Sequence, residues 1–244
     1  MESWIHFRTT VLDELVRHDG LQDYDGLPTC AHCLDDVGTL KCLDCVQVTL
    51  YCATCIVQRH EHLPLHRVEV RLLPLVDPPL TSSKVWKDGY YQRSSLLELG
   101  LCFHVGHQHS PCPSANSCQQ IIVIHLNGAH RVDVQFCTCK QTPNWVENYR
   151  QLLRVGWYPA SFERPRTAFT FDLLDTYHKL TLQGKLNLYD FYSSVMQRTN
   201  NCGQRKEVVS LPNAPIALIP PDEYASLPST GTTRSLGASA SGAI

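Results

Sequence analysis

The 244-residue sequence has no long apolar run, because the longest, over residues 121–124, contains only four residues. A membrane-spanning helix needs about 18 to 20 apolar residues, so we expect no membrane association. The N-terminus, MESWIHFRTT, lacks the basic stretch followed by an apolar stretch that is typical of a secretory signal. We therefore expect an intracellular protein, in which paired cysteines bind metal before they form disulfides.

The sequence also lacks an excess of charge of either sign, because 21 basic and 23 acidic side chains give a net charge of -2. This balance argues against a nucleic-acid-binding surface that covers the whole chain. The charge is nevertheless uneven. Residues 1–29 carry two basic and six acidic side chains, whereas residues 141–206 carry nine basic and five acidic ones. An anionic partner would therefore meet the second half of the chain.

Cysteine, in contrast, is abundant. Six of the twelve cysteines form three Cys-x-x-Cys pairs between residues 30 and 55. Two sulfurs in one tight turn can reach a single Zn²⁺ at about 2.3 Å, and two downstream histidines complete eight ligands for two closed tetrahedral sites. The short spacings between neighbouring pairs favour an interleaved arrangement. The predicted ligands are Cys30, Cys33, Cys52 and Cys55 for the first site, and Cys42, Cys45, His60 and His66 for the second.

His62 is an alternative ligand to His60. We favour His60 because the five residues between it and His66 leave the chain more slack than three would. The ligand order, which closes with Cys-x2-Cys-x4-His, resembles the B-box zinc finger of tripartite-motif proteins. Eight ligands for two ions leave no open coordination position, which disfavours a catalytic metal. We expect metal binding to drive the folding of this segment.

A second group of Cys and His residues lies further along the chain. Cys137 and Cys139 end a predicted strand, where residues i and i+2 point to the same side. His107 and Cys112 form a second pair in a polar turn. These four residues predict a site of three cysteines and one histidine, so the sequence predicts two zinc ions and, with this site, three. His130 is an alternative ligand. The cysteines without a predicted partner are Cys102, Cys118 and Cys202.

The hydrophobic periodicity predicts an α+β fold. A helix is expected to begin after Thr10, and Val68 and Val70 indicate a short strand. Asn127-Gly128 predicts a two-residue type I′ turn between two alternating strands, which would place His125 opposite His130. Three helices are then predicted, over residues 145–154, over residues 168–181 and from residue 188 onward.

These elements divide into four predicted regions. The regions are an N-terminal helical segment (1–29), a B-box-like double zinc module (30–72), a cysteine-cluster domain with the hairpin, the third site and three helices (85–203), and a low-complexity tail that we expect to be disordered (204–244). A proline-containing linker is predicted over residues 73–84.

Several stretches beyond the zinc ligands resemble the second class of CxC-type cysteine-cluster domains, which are found beside fungal KDZ transposases. They include LGLCFHVGH, NGAHRVDVQFCTC and LLRVGWYPASFERPRTAFTFDLLDTYHKLTLQGK, and the resemblance covers residues 4–203. It implies a nuclear zinc-binding module that normally precedes a transposase of RNase H-like chemistry. The remaining chain is shorter than the core of well over about one hundred residues that such chemistry needs. We therefore expect no enzymatic activity and no small-molecule substrate.

Two functions remain open at this point. The first is a non-catalytic zinc module that mediates protein interaction in a transposition-related complex. The alternative is a DNA-binding module of a transposase that has lost its catalytic domain. The candidate phosphate contacts are Arg150, Arg154, Arg164, Arg166, Lys179 and Lys185. Acidic residues are interspersed among them, as in ordinary solvated helix faces.

Overall fold

Short strands and helices alternate along the described part of the chain, and the fold class is α+β, as predicted. The computed structural model describes residues 2–19, 28–47, 49–70, 86–87, 90–91, 94–107, 112–114, 117–139 and 146–199. The predicted linker and the predicted disordered tail lie outside the described residues, and the four domain boundaries stay predictions.

The helices are α1 (Glu2–Asp19), α2 (Ala53–Arg59), α3 (Asn148–Arg154), α4 (Phe171–Gly184) and α5 (Leu188–Thr199). The strands are β1 (Leu40–Cys42), β2 (Leu50–Tyr51), β3 (Val68–Val70), β4 (Trp86–Lys87), β5 (Tyr90–Tyr91), β6 (Cys102–His104), β7 (Gln119–His125), β8 (Gly128–Gln135), β9 (Trp157–Pro159) and β10 (Thr167–Thr170).

A small antiparallel sheet of order β2-β1-β3 organises the first cysteine-rich segment. Val68 and Val70 are buried on either side of Glu69, which confirms the predicted strand. The small core here also includes Ile56 of α2 and Leu96 from beyond β5. A core of this size is too small to hold such a segment folded without a further crosslink.

A larger, mixed sheet follows, in the order β6-β8-β7-β10-β9. β7 and β8 form the predicted antiparallel hairpin, whereas β6 runs parallel to β8 and β10 runs parallel to β7. Its core packs Val123 and Val134 against Leu152 of α3 and Trp157 of β9. The sequence-based prediction contained only the hairpin, because β6, β9 and β10 are too short for a detectable alternation.

The hairpin register differs from the prediction. Gly128 pairs with His125, so the two-residue turn is Leu126-Asn127 rather than Asn127-Gly128, and His130 lies opposite Val123. Every pair is shifted by two residues, which leaves each side chain on the face expected for it, because the strand repeat is also two. The conformation of Gly128, with φ at +137°, suits a glycine, and a Cβ atom there would lie 2.8 Å from Thr199 Oγ1.

Three helix starts were also predicted wrongly. Helix α3 begins at Asn148 rather than at residue 145. Helix α1 begins at Glu2 rather than after Thr10. Helix α4 begins at Phe171 rather than at residue 168, because residues 168–170 belong to β10. All residues of β10 are buried. Thr170 caps α4 by accepting a hydrogen bond from the backbone of Leu173. α5 begins at Leu188, as predicted.

The hairpin turn is docked onto the first cysteine-rich segment. The Asn127 amide donates to Asp44 Oδ2 at 3.2 Å and to the carbonyl of Leu65 at 2.9 Å. Its side-chain carbonyl oxygen accepts a hydrogen bond from His130 Nε2 at 2.7 Å. Asp44 in turn is paired with the Arg67 guanidinium at 2.7 Å. A single asparagine therefore links the two sheets.

The change Asn127→Ala should lower the free energy of unfolding by about 1–3 kcal/mol, because it leaves the Leu65 carbonyl and the His130 ring without their partner. Chemical denaturation of the metal-loaded protein measures this. The exposed Gln120 on β7 provides the control, and Gln120→Ala should change stability by no more than about 0.5 kcal/mol. Equal stabilities for the two variants would contradict the linking role of Asn127.

Candidate metal centres

The first quartet of metal-ligand candidates joins two turns of the first cysteine-rich segment. Cys30 and Cys33 lie in a turn closed by a hydrogen bond from the backbone of Leu34 to the Cys30 carbonyl at 3.0 Å. Cys52 and Cys55 lie at the start of α2, whose backbone holds both sulfurs on one side. The four sulfurs lie within 4.8 Å of one another. Sulfurs around a tetrahedral zinc ion are about 3.8 Å apart, so the arrangement suits such an ion.

The second quartet interleaves with the first. Cys42 ends β1, Cys45 follows in the next turn, His60 follows α2, and His66 precedes β3. His66 Nδ1 lies 3.4 Å from the Cys42 sulfur and 3.5 Å from the Cys45 sulfur. His60 Nε2 lies 3.5 Å from the Cys45 sulfur. Thus the structure brings together the same four residues that the spacing grouped.

His60 is oriented for ligation by its second ring nitrogen. Its Nδ1 lies 2.8 Å from the carbonyl of Ile56, which can only accept, so Nδ1 carries the proton and Nε2 presents its lone pair to the cysteines. Burial lowers the pKa of His60 and of His66, which favours the neutral rings that a metal requires. The alternative ligand, His62, is exposed and lies outside the quartet.

Asp44, between Cys42 and Cys45, supports this quartet from outside. Its carboxylate accepts from the backbone N–H of Arg67 at 2.6 Å and from the Arg67 guanidinium at 2.7 Å. Burial opposes ionisation of Asp44, but these hydrogen bonds and the charge of Arg67 lower its pKa overall. Asp44 therefore holds the residue next to the His66 ligand, a role that ligand spacing does not reveal.

The third quartet lies at the end of the larger sheet. Cys137 and Cys139 follow β8, while His107 and Cys112 come from the segment after β6. His107 Nε2 lies 3.0 Å from the Cys137 sulfur and 3.4 Å from the Cys139 sulfur. The sulfurs of Cys112 and Cys139 are 3.3 Å apart. A donor set of three sulfurs and one imidazole nitrogen is typical of a structural zinc site.

Two residues that the sequence analysis missed position this quartet. Gly106 passes so close to Cys137 that a Cβ atom would lie 2.4 Å from the Cys137 Cβ. Gln151 of α3 is buried and grips the same residue, since it accepts from the backbone N–H of Cys137 at 2.8 Å and donates to its carbonyl at 3.1 Å. In sequence, Gln151 resembles any exposed helical glutamine.

The pKa values of the clustered thiols are shifted by burial and by hydrogen bonds within each quartet. Hydrogen bonding with Cys52 raises the pKa of Cys55 to about 12, and burial raises the pKa of Cys137 to about 11. Burial also opposes the ionisation of Cys112, but backbone and side-chain hydrogen bonds lower its pKa to about 6. A divalent cation would favour the thiolate form of every cysteine around it.

The remaining cysteines and histidines have other roles in the described part of the chain. Cys102 and Cys118, for which the sequence predicts neither a partner nor a role, form a disulfide. His130 is not a member of any quartet, because its ring is hydrogen bonded to Asn127. Burial lowers the pKa of His130 to about 4. Cys202 lies outside the described residues.

The six basic candidates for DNA contact are all exposed, but two of them are paired with carboxylates. Arg150 is paired with Glu147 at 3.2 Å, and Lys179 is paired with Asp175 at 2.5 Å. The other candidates are Arg154, Arg164, Arg166 and Lys185.

Within the described residues, no helix has the length and apolar character needed to cross a membrane.

Replacing His60 should remove one metal ion per chain, because the second quartet then has three donors. His60→Ala is compared with His62→Ala, which removes an exposed neighbour and should leave the metal content unchanged. Elemental analysis of the two purified variants and the wild type provides the measurement. Metal loss in His62→Ala with full content in His60→Ala would reverse the assignment.

The third quartet should be sensitive to the size of residue 106. Gly106→Ala forces a methyl group into Cys137 and should remove the ion from this quartet while the other two quartets keep theirs. Gly184, at the end of α4, has open space around it. Gly184→Ala should therefore retain every ion, and metal-to-protein ratios after gel filtration distinguish the two variants. A Gly106→Ala protein with full metal content would show that the third quartet does not hold an ion.

Comparison with known proteins bears on the third quartet. No curated protein and no solved structure matches the chain. One family matches, described as a CxC2-like cysteine cluster associated with KDZ transposases, and the match covers residues 96–203. This segment includes all four residues of the third quartet, with the Cys-x-Cys pair at Cys137 and Cys139. Residues 96–203 of this chain therefore match the family of CxC2-like cysteine clusters that are associated with KDZ transposases.

Proposed function

We propose that this chain is a non-catalytic zinc-binding module that binds a KDZ-type transposase through the apolar face of α1. The observation that carries the proposal is the exposure of that apolar face. Elsewhere in the described part of the chain, the metal-ligand candidates are arranged in closed quartets. The family of residues 96–203 supplies the class of the partner, because its members are associated with KDZ transposases.

Zinc is the ion that best suits the three quartets. The first has four cysteines, the second has two cysteines and two histidines, and the third has three cysteines and one histidine. Sulfur-rich tetrahedral donor sets of this kind are typical of structural zinc, and we therefore propose three zinc ions per chain. In each site the four protein donors fill the four tetrahedral positions, so no position is left for a water or a substrate. Zinc in these sites stabilises the fold and performs no chemistry.

Helix α1 presents one broad apolar face to solvent. Trp4, Val11 and Leu15 are spaced as i, i+7 and i+11, and Ile5 and Leu12 extend the face. The exposed large apolar residues of α1 are Trp4, Ile5, Phe7, Val11, Leu12, Leu15 and Val16, each between 42% and 67% exposed. Their exposure is typical of a helix that packs into the groove of a protein partner.

This face favours a protein over DNA as the partner. A phosphate backbone is bound by basic side chains, whereas the strip on α1 is apolar apart from Arg8. The segment that contains α1 is also the most acidic part of the chain, with six acidic and two basic side chains in residues 1–29. Among the basic candidates of the second half, Arg150 and Lys179 already have carboxylate partners.

The test is a calorimetric titration of the zinc-loaded full-length chain with a purified KDZ-type transposase. Leu12→Asp places a charge in the apolar face and should weaken binding by at least about tenfold, because a buried unpaired charge is costly. Thr10→Asp introduces the same charge on the opposite face of the helix and should bind as the wild type does. Helix content by circular dichroism and metal content should be equal in both variants.

Two results would contradict the proposal. One is the absence of binding by the wild type, and the other is equal binding by Leu12→Asp. A parallel titration with duplex DNA over a salt series tests the alternative function. Strong binding that weakens steeply with salt, and that is lost on replacing Arg164 and Arg166 by Ala, would favour a DNA-binding module.

A further inference from the structure

The Cys102–Cys118 disulfide lies at one end of the larger sheet, where it joins the beginnings of β6 and β7. Cys102 begins β6, and Cys118 immediately precedes β7, at a sequence separation of 16 residues. In the sheet, β8 lies between β6 and β7. The disulfide therefore connects the two strands that flank β8, close to the end of β8 from which Cys137 and Cys139 follow.

The segment that this disulfide closes supplies half of the third quartet. His107 and Cys112 both lie between Cys102 and Cys118, and the other two ligands lie just beyond β8. The first two quartets have no such closure among the described residues, because every cysteine in them is a free thiol. A change in this one disulfide would therefore act on the third quartet selectively.

We propose that the Cys102–Cys118 disulfide is a redox-controlled brace that sets the metal affinity of the third quartet. This inference rests on the proposed function in one respect, since it requires the quartet to bind zinc. The closed segment has fewer conformations in the metal-free state, so less entropy is lost when His107 and Cys112 join Cys137 and Cys139 around the ion. Opening the disulfide restores that entropy cost and weakens the site.

The position of the two sulfurs permits reduction in the folded protein. Cys118 is exposed and Cys102 is half-buried. A thiolate of a dithiol reductant attacks the Cys118 sulfur, the bond between the two cysteine sulfurs breaks, and Cys102 leaves as a thiolate that takes up a proton. The second thiol of the reductant then attacks the mixed disulfide and releases Cys118. The reductant becomes a cyclic disulfide, and two electrons and two protons have passed to the protein.

The fold also transmits the change in a defined direction. Val105, three residues after Cys102, donates from its backbone to Gln135 of β8 at 3.2 Å. Gly106 then passes against Cys137, and His107 follows with φ at +46°. A shift at Cys102 is therefore carried to His107 along a short, tightly packed segment, whereas α3 continues to hold Cys137 through Gln151.

The test compares zinc retention in the oxidised wild type and in the double variant Cys102→Ser/Cys118→Ser. Both proteins are loaded with zinc and titrated with a chromogenic chelator. In the double variant, one ion of the three should transfer at a chelator concentration about tenfold lower or more, as expected for a segment that has lost its closure. The other two ions should transfer as in the wild type, which shows that the variant is folded.

Reduction provides a second arm of the experiment. A water-soluble phosphine, which is itself oxidised to the phosphine oxide, should make the wild type behave as the double variant does and should not affect the double variant further. Alkylation followed by mass spectrometry should label Cys102 and Cys118 in the reduced wild type while the zinc-bound cysteines stay protected.

The outcomes separate the two proposals. Three ions with the same affinities in both proteins would overturn the brace and leave the third zinc centre intact. Only two ions in the oxidised wild type would overturn the third centre, and the brace with it. Alkylation of Cys102 and Cys118 without prior reduction would overturn the disulfide on which the inference depends.

Discussion

Closure of the cysteine–histidine quartets is the constraint on which the rest of this structure depends. Each quartet brings together side chains from separate turns, and the first two interleave so that neither can form without the other segment in place. The small sheet beside them contributes few buried residues, among them Leu40, Ile56 and Val68. Apolar burial of this extent does not offset the entropy of ordering the segment, so we propose that bonds to zinc would be the main source of its stability.

A second constraint joins this segment to the larger sheet. Asp44 lies inside the turn of the second quartet, and its carboxylate is shared between Arg67 and Asn127. Because Asn127 is in the hairpin turn, and Thr199 of α5 packs against Gly128, the second quartet, the hairpin and the last helix meet at one point. The turn of the second quartet is therefore hydrogen bonded directly to the hairpin turn of the larger sheet.

This arrangement supports the proposed role of the chain as a non-catalytic recognition module. The described quartets use their thiols and imidazoles for mutual closure, and burial and hydrogen bonding set the proton affinities of those groups. We propose that recognition takes place through the exposed apolar face of α1.

The sequence alone determined the α+β class, the hairpin, and the grouping of twelve cysteines and histidines into three quartets, because ligand spacing and strand periodicity are local properties. It did not determine the hairpin register, since Asn127 is engaged by Asp44, a residue distant in sequence. Tertiary structure alone decided the pairing of Cys102 with Cys118, the hydrogen bonds of Gln151 with Cys137 and the strand Thr167–Thr170. Each of these depends on segments that meet only after the sheet has formed, and no local pattern records such a meeting.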